Sequence, residues 1–347
     1  MSVAQQFPPD ATELQVPDVE TAARLMRQHR PELFPVMAEV RRSYLEYFGP
    51  QHEATIARTQ DALALGFARM AVRHGNWGQD LHDYHNEFHA QELLNGRIAK
   101  IRLERGWAAL EAVDWLLLGL FATCHDLRQR ETPDPNQEIG TNERASIAET
   151  FRILDRCAFQ RERDHDFYTT LGYMIAGSTF DARPLPFNTA EVVSAGGCLA
   201  PKLVYDLEVG SAEFTSEAEL KRCTRLMLVA ADIDTANVGE PFSALAASAV
   251  RLAKEREMRS GRSLRAPESG PPVFEFLTEG QERYFFKLHR FVSDLGESVF
   301  GHIKRDNADK VRAQTRRMQA AFGSKLKPGV TGLQLIDQFV EFAREAG

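Results

Sequence analysis

Trp115-Leu116-Leu117-Leu118-Gly119-Leu120-Phe121-Ala122-Thr123-Cys124-His125-Asp126 is a mainly apolar run that ends in an imidazole and a carboxylate. Extended back to Ala108, the segment is apolar on most sides, the pattern of a central buried helix. It is far shorter than the roughly 20 residues needed to span a bilayer. A helix buried this deeply should not end in polar groups that nothing compensates. A protonated imidazole suits a helix C-terminus, but that does not explain why the whole approach to His125 is apolar. A metal ion would compensate both side chains.

Two further stretches carry the same logic. Upstream, Tyr84-His85-Asn86-Glu87-Phe88-His89-Ala90 places two histidines four apart, which puts them on one face of a helix. The interval from His89 to His125 holds the rest of one helix, a turn and a return helix, so both can reach the same end of a bundle. Downstream, Asp232 closes the apolar run Leu226–Ala231. Two imidazoles and two carboxylates make a mixed N/O site for Zn²⁺ or another first-row divalent ion. Asp126 has two oxygens and could bridge to a second, harder ion such as Mg²⁺ or Mn²⁺. Asp234 competes with Asp232. The two point about 200° apart on a helix, so only one should face a metal.

Tyr-His-Asn-x-x-His-Ala, then His-Asp, then Ala-Ala-Asp-Ile resembles the catalytic domain of the class I cyclic nucleotide phosphodiesterases, within the HD superfamily of metal-dependent phosphohydrolases. The likeness runs in order from about Tyr84 to about Tyr284. It implies a compact all-α, multi-helix HD-type domain. It implies His89, His125, Asp126 and Asp232 as metal ligands, with zinc in the first site and magnesium or manganese in the second. In that family the first histidine of the heptad, here His85, protonates the leaving oxygen, a task suited to a group that titrates near neutral pH. The family register selects Asp232 over Asp234. Glu143, in Thr141-Asn142-Glu143-Arg144, stands near a glutamate that binds metal-coordinated water, although a glutamate also suits a first helical turn. Tyr84, Gln281 and Tyr284 fall to the nucleotide, with the Gln281 amide on the base edge and the Tyr284 ring stacked on its face. One helical turn separates those last two, so they can share a pocket.

The chain departs from the family pattern in places. Gln129 stands where a further histidine follows the His-Asp pair, Thr235 where a substrate-facing asparagine is common, and Ala145-Ser146 where a histidine pair is expected. The resemblance therefore implies hydrolysis of a 3′,5′-cyclic nucleotide (cAMP, cGMP or both) to the 5′-monophosphate. An HD phosphohydrolase of another nucleotide or phosphoester and a non-catalytic nucleotide sensor are the alternatives.

The rest of the chain is helical in pattern. Glu32–Phe48 carries Pro35 in its first turn, and Ala54–His74 has Ile56, Leu63, Phe67 and Met70 at mostly helical spacing. Ile147, Phe151 and Leu154 repeat at helical intervals, as do Phe167, Leu171 and Met174. Ser216 and Glu219 form a capping box before Leu220–Ala231. Strand signals are nearly absent. Arg256–Pro272, rich in Gly, Ser, Pro and Arg, reads as a long loop, and Val273–Leu277 beside two prolines reads as loop too. Residues 1–18 read as a flexible tail, and 19–347 as one helical domain whose first part, 19–80, could form a subdomain. His82 reads as a solvated neighbour of His85.

A net charge of −7 gives no general attraction to nucleic acid or to an anionic membrane; the resemblance implies a small nucleotide as the partner. The four cysteines form no CxxC pair and read as reduced. With no visible signal peptide, this suits a cytoplasmic protein. Nothing in the sequence fixes the oligomeric state.

Overall fold

The computed structural model describes residues 6–129, 139–181, 197–210, 214, 216–323 and 326–346. Among these the chain is all-α, apart from one pairing of two-residue strands, β1 (Phe180–Asp181) and β2 (Gly197–Cys198). No helix among them is long and apolar enough to cross a membrane. The chain divides into two units, where the sequence suggested one domain from residue 19 onward. The first comprises Met1–Thr179 with Cys198–Ile233, the second Phe180–Gly197 with Asp234–Gly347.

The first unit begins with α1 (Ala11–Gln15), α2 (Val19–His29), α3 (Leu33–Phe48) and α4 (Glu53–Arg73). The expected tail is therefore structured from residue 6, and residues 1–5 lie outside the described part. Its anchors are physical. Asp10 caps α1 by accepting from Glu13 N at 2.9 Å, and Val16 is fully buried. The Glu13 carboxylate accepts from Arg69 Nη1 at 3.1 Å and Arg152 Nε at 2.8 Å. Asp10 accepts from Arg73 Nε at 2.8 Å. Composition showed polar residues and prolines here, but not that arginines far along the chain complete them.

After a loop at 74–86, α5 (Glu87–Gln91) runs through a π-type turn (Glu92–Ile98) into α6 (Ala99–Arg105). The central apolar helix is α7 (Ala112–Cys124), with every residue from Asp114 to Cys124 buried. Next come α8 (Thr141–Arg156), α9 (His165–Ser178), α10 (Ala200–Gly210) and α11 (Glu217–Thr235). Helix α4 packs against α2, α7 and α8. It is thus integral to the first unit, and 19–80 forms no separate subdomain. The α4–α7 crossing is close: a Cβ on Gly66 would lie 3.2 Å from both the Thr123 carbonyl oxygen and Cys124 Sγ. That proximity fixes the end of α7, and with it His125.

The second unit contains a 3₁₀ turn (Ala236–Gly239), α12 (Phe242–Arg259), a helical rod from residue 270 to 288, α15 (Asp294–Phe322) and α16 (Gly332–Ala346). The rod consists of α13 (Gly270–Glu275), a π turn (Phe276–Gly280), α14 (Gln281–Arg283) and a second π turn (Tyr284–Leu288). The expected loop at Val273–Leu277 is thus helical. Pro271 and Pro272 occupy the first turn, where no amide donor is needed, so they start the helix instead of breaking it. Likewise α12 continues to Arg259, which shortens the expected loop. Phe242, Leu245, Phe274, Leu277, Leu335 and Phe339 are among the buried side chains of this core.

Candidate metal centre

The heptad straddles a helix start. Asn86 is the N-cap of α5, its side chain accepting from Phe88 N at 2.9 Å, so Tyr84 and His85 precede the helix and only His89 lies within it. Asparagine at this position satisfies an amide that the first turn leaves open. The shared helical face inferred for His85 and His89 is therefore absent, yet the rings stay close. Their centroids are 6.3 Å apart and edge-on. The buried Tyr84 ring contacts both, at 4.9 Å from His85 and 4.7 Å from His89.

His125 caps the C-terminus of α7, and its ring is held on two sides. Phe121 stacks on it with centroids 4.7 Å apart, and Nδ1 lies 3.0 Å from the Phe121 carbonyl oxygen. A carbonyl only accepts, so Nδ1 carries a proton and Nε2 faces Asp126. That nitrogen lies 3.0 Å from Asp126 Oδ2. The same oxygen is 3.7 Å from His89 Nε2. The other oxygen, Oδ1, accepts from the Gln129 amide at 2.5 Å. Gln129 therefore orients Asp126. Sequence reading treated this residue only as the loss of a histidine.

The third contribution comes from the last turn of α11. Ligand atoms of His89, His125 and Asp234 all lie within 4.8 Å of one another. The sequence register chose Asp232 and set Asp234 aside, whereas this grouping contains Asp234. Asp232 is buried two residues earlier on the same helix. The helical period separates the two carboxylates, and the rotation of α11 about its axis decides which one meets the histidines. Part of that rotation is set by Arg97 in the π turn after α5. Its Nη1 donates to the Ile233 carbonyl oxygen at 2.8 Å, and the side chain is almost wholly buried.

The remaining residues singled out from sequence take ordinary helical places. Glu143 lies in the first turn of α8. In the second unit, Gln281 lines a small, mainly apolar cavity with Phe242, Leu277, Phe285, Gln314 and Phe339. Tyr284 is not part of that lining. Its hydroxyl donates to Asn237 Oδ1 at 3.1 Å, and its ring lies 5.5 Å from Phe180. Gln281 and Tyr284 thus have different surroundings, with a π turn beginning at Tyr284.

His82 is fully buried, contrary to its reading as solvated. It belongs with His74 and Asp80 to a second group of potential ligands. No periodic signal marks that group, because it is assembled by a loop. Cys124, Cys157 and Cys223 are buried, and burial pushes the pKa of each thiol up to about 12. Compared with known proteins, the chain matches no family model, no curated protein and no solved structure.

Proposed function

We propose that the protein is a metal-dependent phosphodiesterase of the HD phosphohydrolase type, acting on a 3′,5′-cyclic nucleotide. The observation that carries this reading is the convergence of His89, His125, Asp126 and an α11 aspartate, with His85 beside them. The donor set fits divalent ions: buried neutral imidazoles suit zinc, and a carboxylate with a second oxygen suits a harder neighbour such as magnesium or manganese. Divalent ions bound there supply an activated water at neutral pH and offset charge on phosphoryl oxygens.

The chain's own residues do the rest. The Phe121 carbonyl and ring hold His125 in the tautomer that presents Nε2. Gln129 holds Asp126 by one oxygen and leaves the other facing the histidines. His85, outside the first helical turn and half-buried, supplies a proton to the departing oxygen. Tyr84 keeps that ring beside His89.

The test is hydrolysis of cAMP and cGMP by purified protein with added Mn²⁺ or Mg²⁺, beside bis(p-nitrophenyl) phosphate as a base-free diester. Hydrolysis of a cyclic nucleotide to the 5′-monophosphate, abolished by Asp126→Asn, is expected. Turnover of the aryl diester alone would leave the phosphodiesterase reading and overturn the cyclic-nucleotide assignment. Inactivity on both would overturn the whole reading.

A further inference from the structure

The loop between α4 and α5 assembles a second group of donor atoms apart from the residues above. His74 is the C-cap of α4, and His82 lies further along the same loop. Both are buried, at 3% and 0% exposure, in a segment that otherwise looks like a surface connection. Their rings pack with centroids 4.0 Å apart and planes inclined by 34°. Asp80 reaches the pair from the solvent side, its carboxylate about half exposed. One oxygen, Oδ2, is 3.8 Å from His74 Nδ1 and 3.4 Å from His82 Nε2. One nitrogen from each ring and one carboxylate oxygen all lie within 4.8 Å of one another.

The loop is built to hold this arrangement. His82 N donates to the His74 carbonyl oxygen at 2.8 Å, closing the loop's base. Two glycines let it fold back on α4. A Cβ on Gly75 would collide with the Glu87 carboxylate, and one on Gly78 with the Val72 carbonyl oxygen. Asn76 N donates to Glu87 Oε1 at 3.2 Å, and the Asn86 side chain donates to the His82 carbonyl oxygen at 2.6 Å. These bonds tie the loop to the N-terminus of α5. Two buried imidazoles in contact, with a shared carboxylate at their edge, match the donor set of a borderline divalent ion.

We propose that His74, Asp80 and His82 bind a divalent metal ion of the zinc class, with water from the solvent side of Asp80 completing its shell. Metal–ligand bonds of about 2.0–2.2 Å require only a slight contraction of the group. The ion pins the loop that leads into His85 and the α5 N-cap. The proposal does not depend on the function assigned to the first centre.

The probe is Zn²⁺ alone, added to chelator-stripped full-length protein and followed by calorimetry and elemental analysis. In the wild type, Asp80→Ala removes an exposed side chain. It is expected to lower retained zinc by one equivalent at micromolar free Zn²⁺, or to weaken one binding step at least 10-fold, the lower end of what even outer-shell changes cost a metal site. In a His89→Ala/His125→Ala background that is folded by circular dichroism, one zinc equivalent should remain, and His82→Gln should abolish it. Unchanged stoichiometry and affinity in Asp80→Ala would overturn the proposal, as would a folded double variant that binds no zinc. Should the double variant not fold, the Asp80→Ala comparison in the wild type decides alone.

Discussion

Replacing Asp10 by Asn should destabilise the first unit in a strongly pH-dependent way. Asn is as good an N-cap as Asp, so the bond to Glu13 N and the start of α1 survive the change. What the substitution removes is charge. Burial raises the Asp10 carboxyl, but hydrogen bonding and attraction to Arg73 outweigh it, with help from the Glu13 amide and Arg128. The balance holds the group down to about 2, against an ordinary 3.8. At ~1.36 kcal/mol per pH unit, that gap is worth about 2.4 kcal/mol. The side chain is 29% exposed, and solvent screening discounts the figure to about 1–2 kcal/mol. The sign follows from a depressed acid: the stabilisation is complete above pH 4 and is lost as pH falls through 2. Urea denaturation followed by circular dichroism, at steps from pH 7 to pH 2.5, measures it. The variant should be less stable by about 1–2 kcal/mol at neutral pH, and the difference should shrink steadily below pH 4. A difference that is absent at pH 7, or that stays constant down to pH 2.5, would refute the account of Asp10 as the counter-ion of Arg73.

Four other outcomes follow from the site and its supports. His85→Ala should keep its metal content and lose roughly 10²–10⁴-fold in kcat, with a much smaller loss on a diester that has a good leaving group; metal loss would make His85 a ligand instead. Asp234→Asn should lower divalent-ion affinity more than Asp232→Asn, as isothermal titration would show, and the reverse order would return the ligand role to Asp232. Gln129→Leu should weaken metal binding by roughly 10–100-fold, since it removes the amide that holds Asp126 Oδ1; unchanged affinity would remove Gln129 from the site's support. Asp114 is pushed up to about 6 by burial, against the opposing pull of Arg222, so the folded state favours its neutral form; the wild type's stability relative to Asp114→Asn should therefore decline as pH rises from 4 to 7, and a rising difference would contradict this.

Helices with strong patterns were legible in the sequence because burial and periodicity coincide there. Helix α7 was marked by its apolar run, α4 by Ile56, Leu63, Phe67 and Met70, and α11 by its capping box, in which Ser216 Oγ accepts from Glu219 N at 3.2 Å. His89, His125 and Asp126 stood out as candidate ligands for a related reason: polar groups closing or entering apolar helices are conspicuous. Features that depend on partners distant in sequence were not. The order of residues 6–18 comes from Arg69, Arg73 and Arg152. The choice between Asp232 and Asp234 depends on the rotation of one helix, which two residues of sequence cannot fix. The π turns leave no compositional trace. The loop pair His74 and His82 was hidden by glycines that read as a break in structure, though they allow the chain to fold tightly on itself.

The π turn at Glu92–Ile98 makes this part of the chain unequally tolerant of deletions. A π turn is a widened turn that takes one residue more than the α-helix around it. Losing one of its residues would let the backbone close into an ordinary α-helix whose far end keeps its orientation relative to His89. Losing one residue from the α-helical stretch Ala99–Arg105 would instead turn everything beyond it by about 100°. A reading-frame-preserving loss of one codon should therefore be absorbed within the π turn and resisted just beyond it.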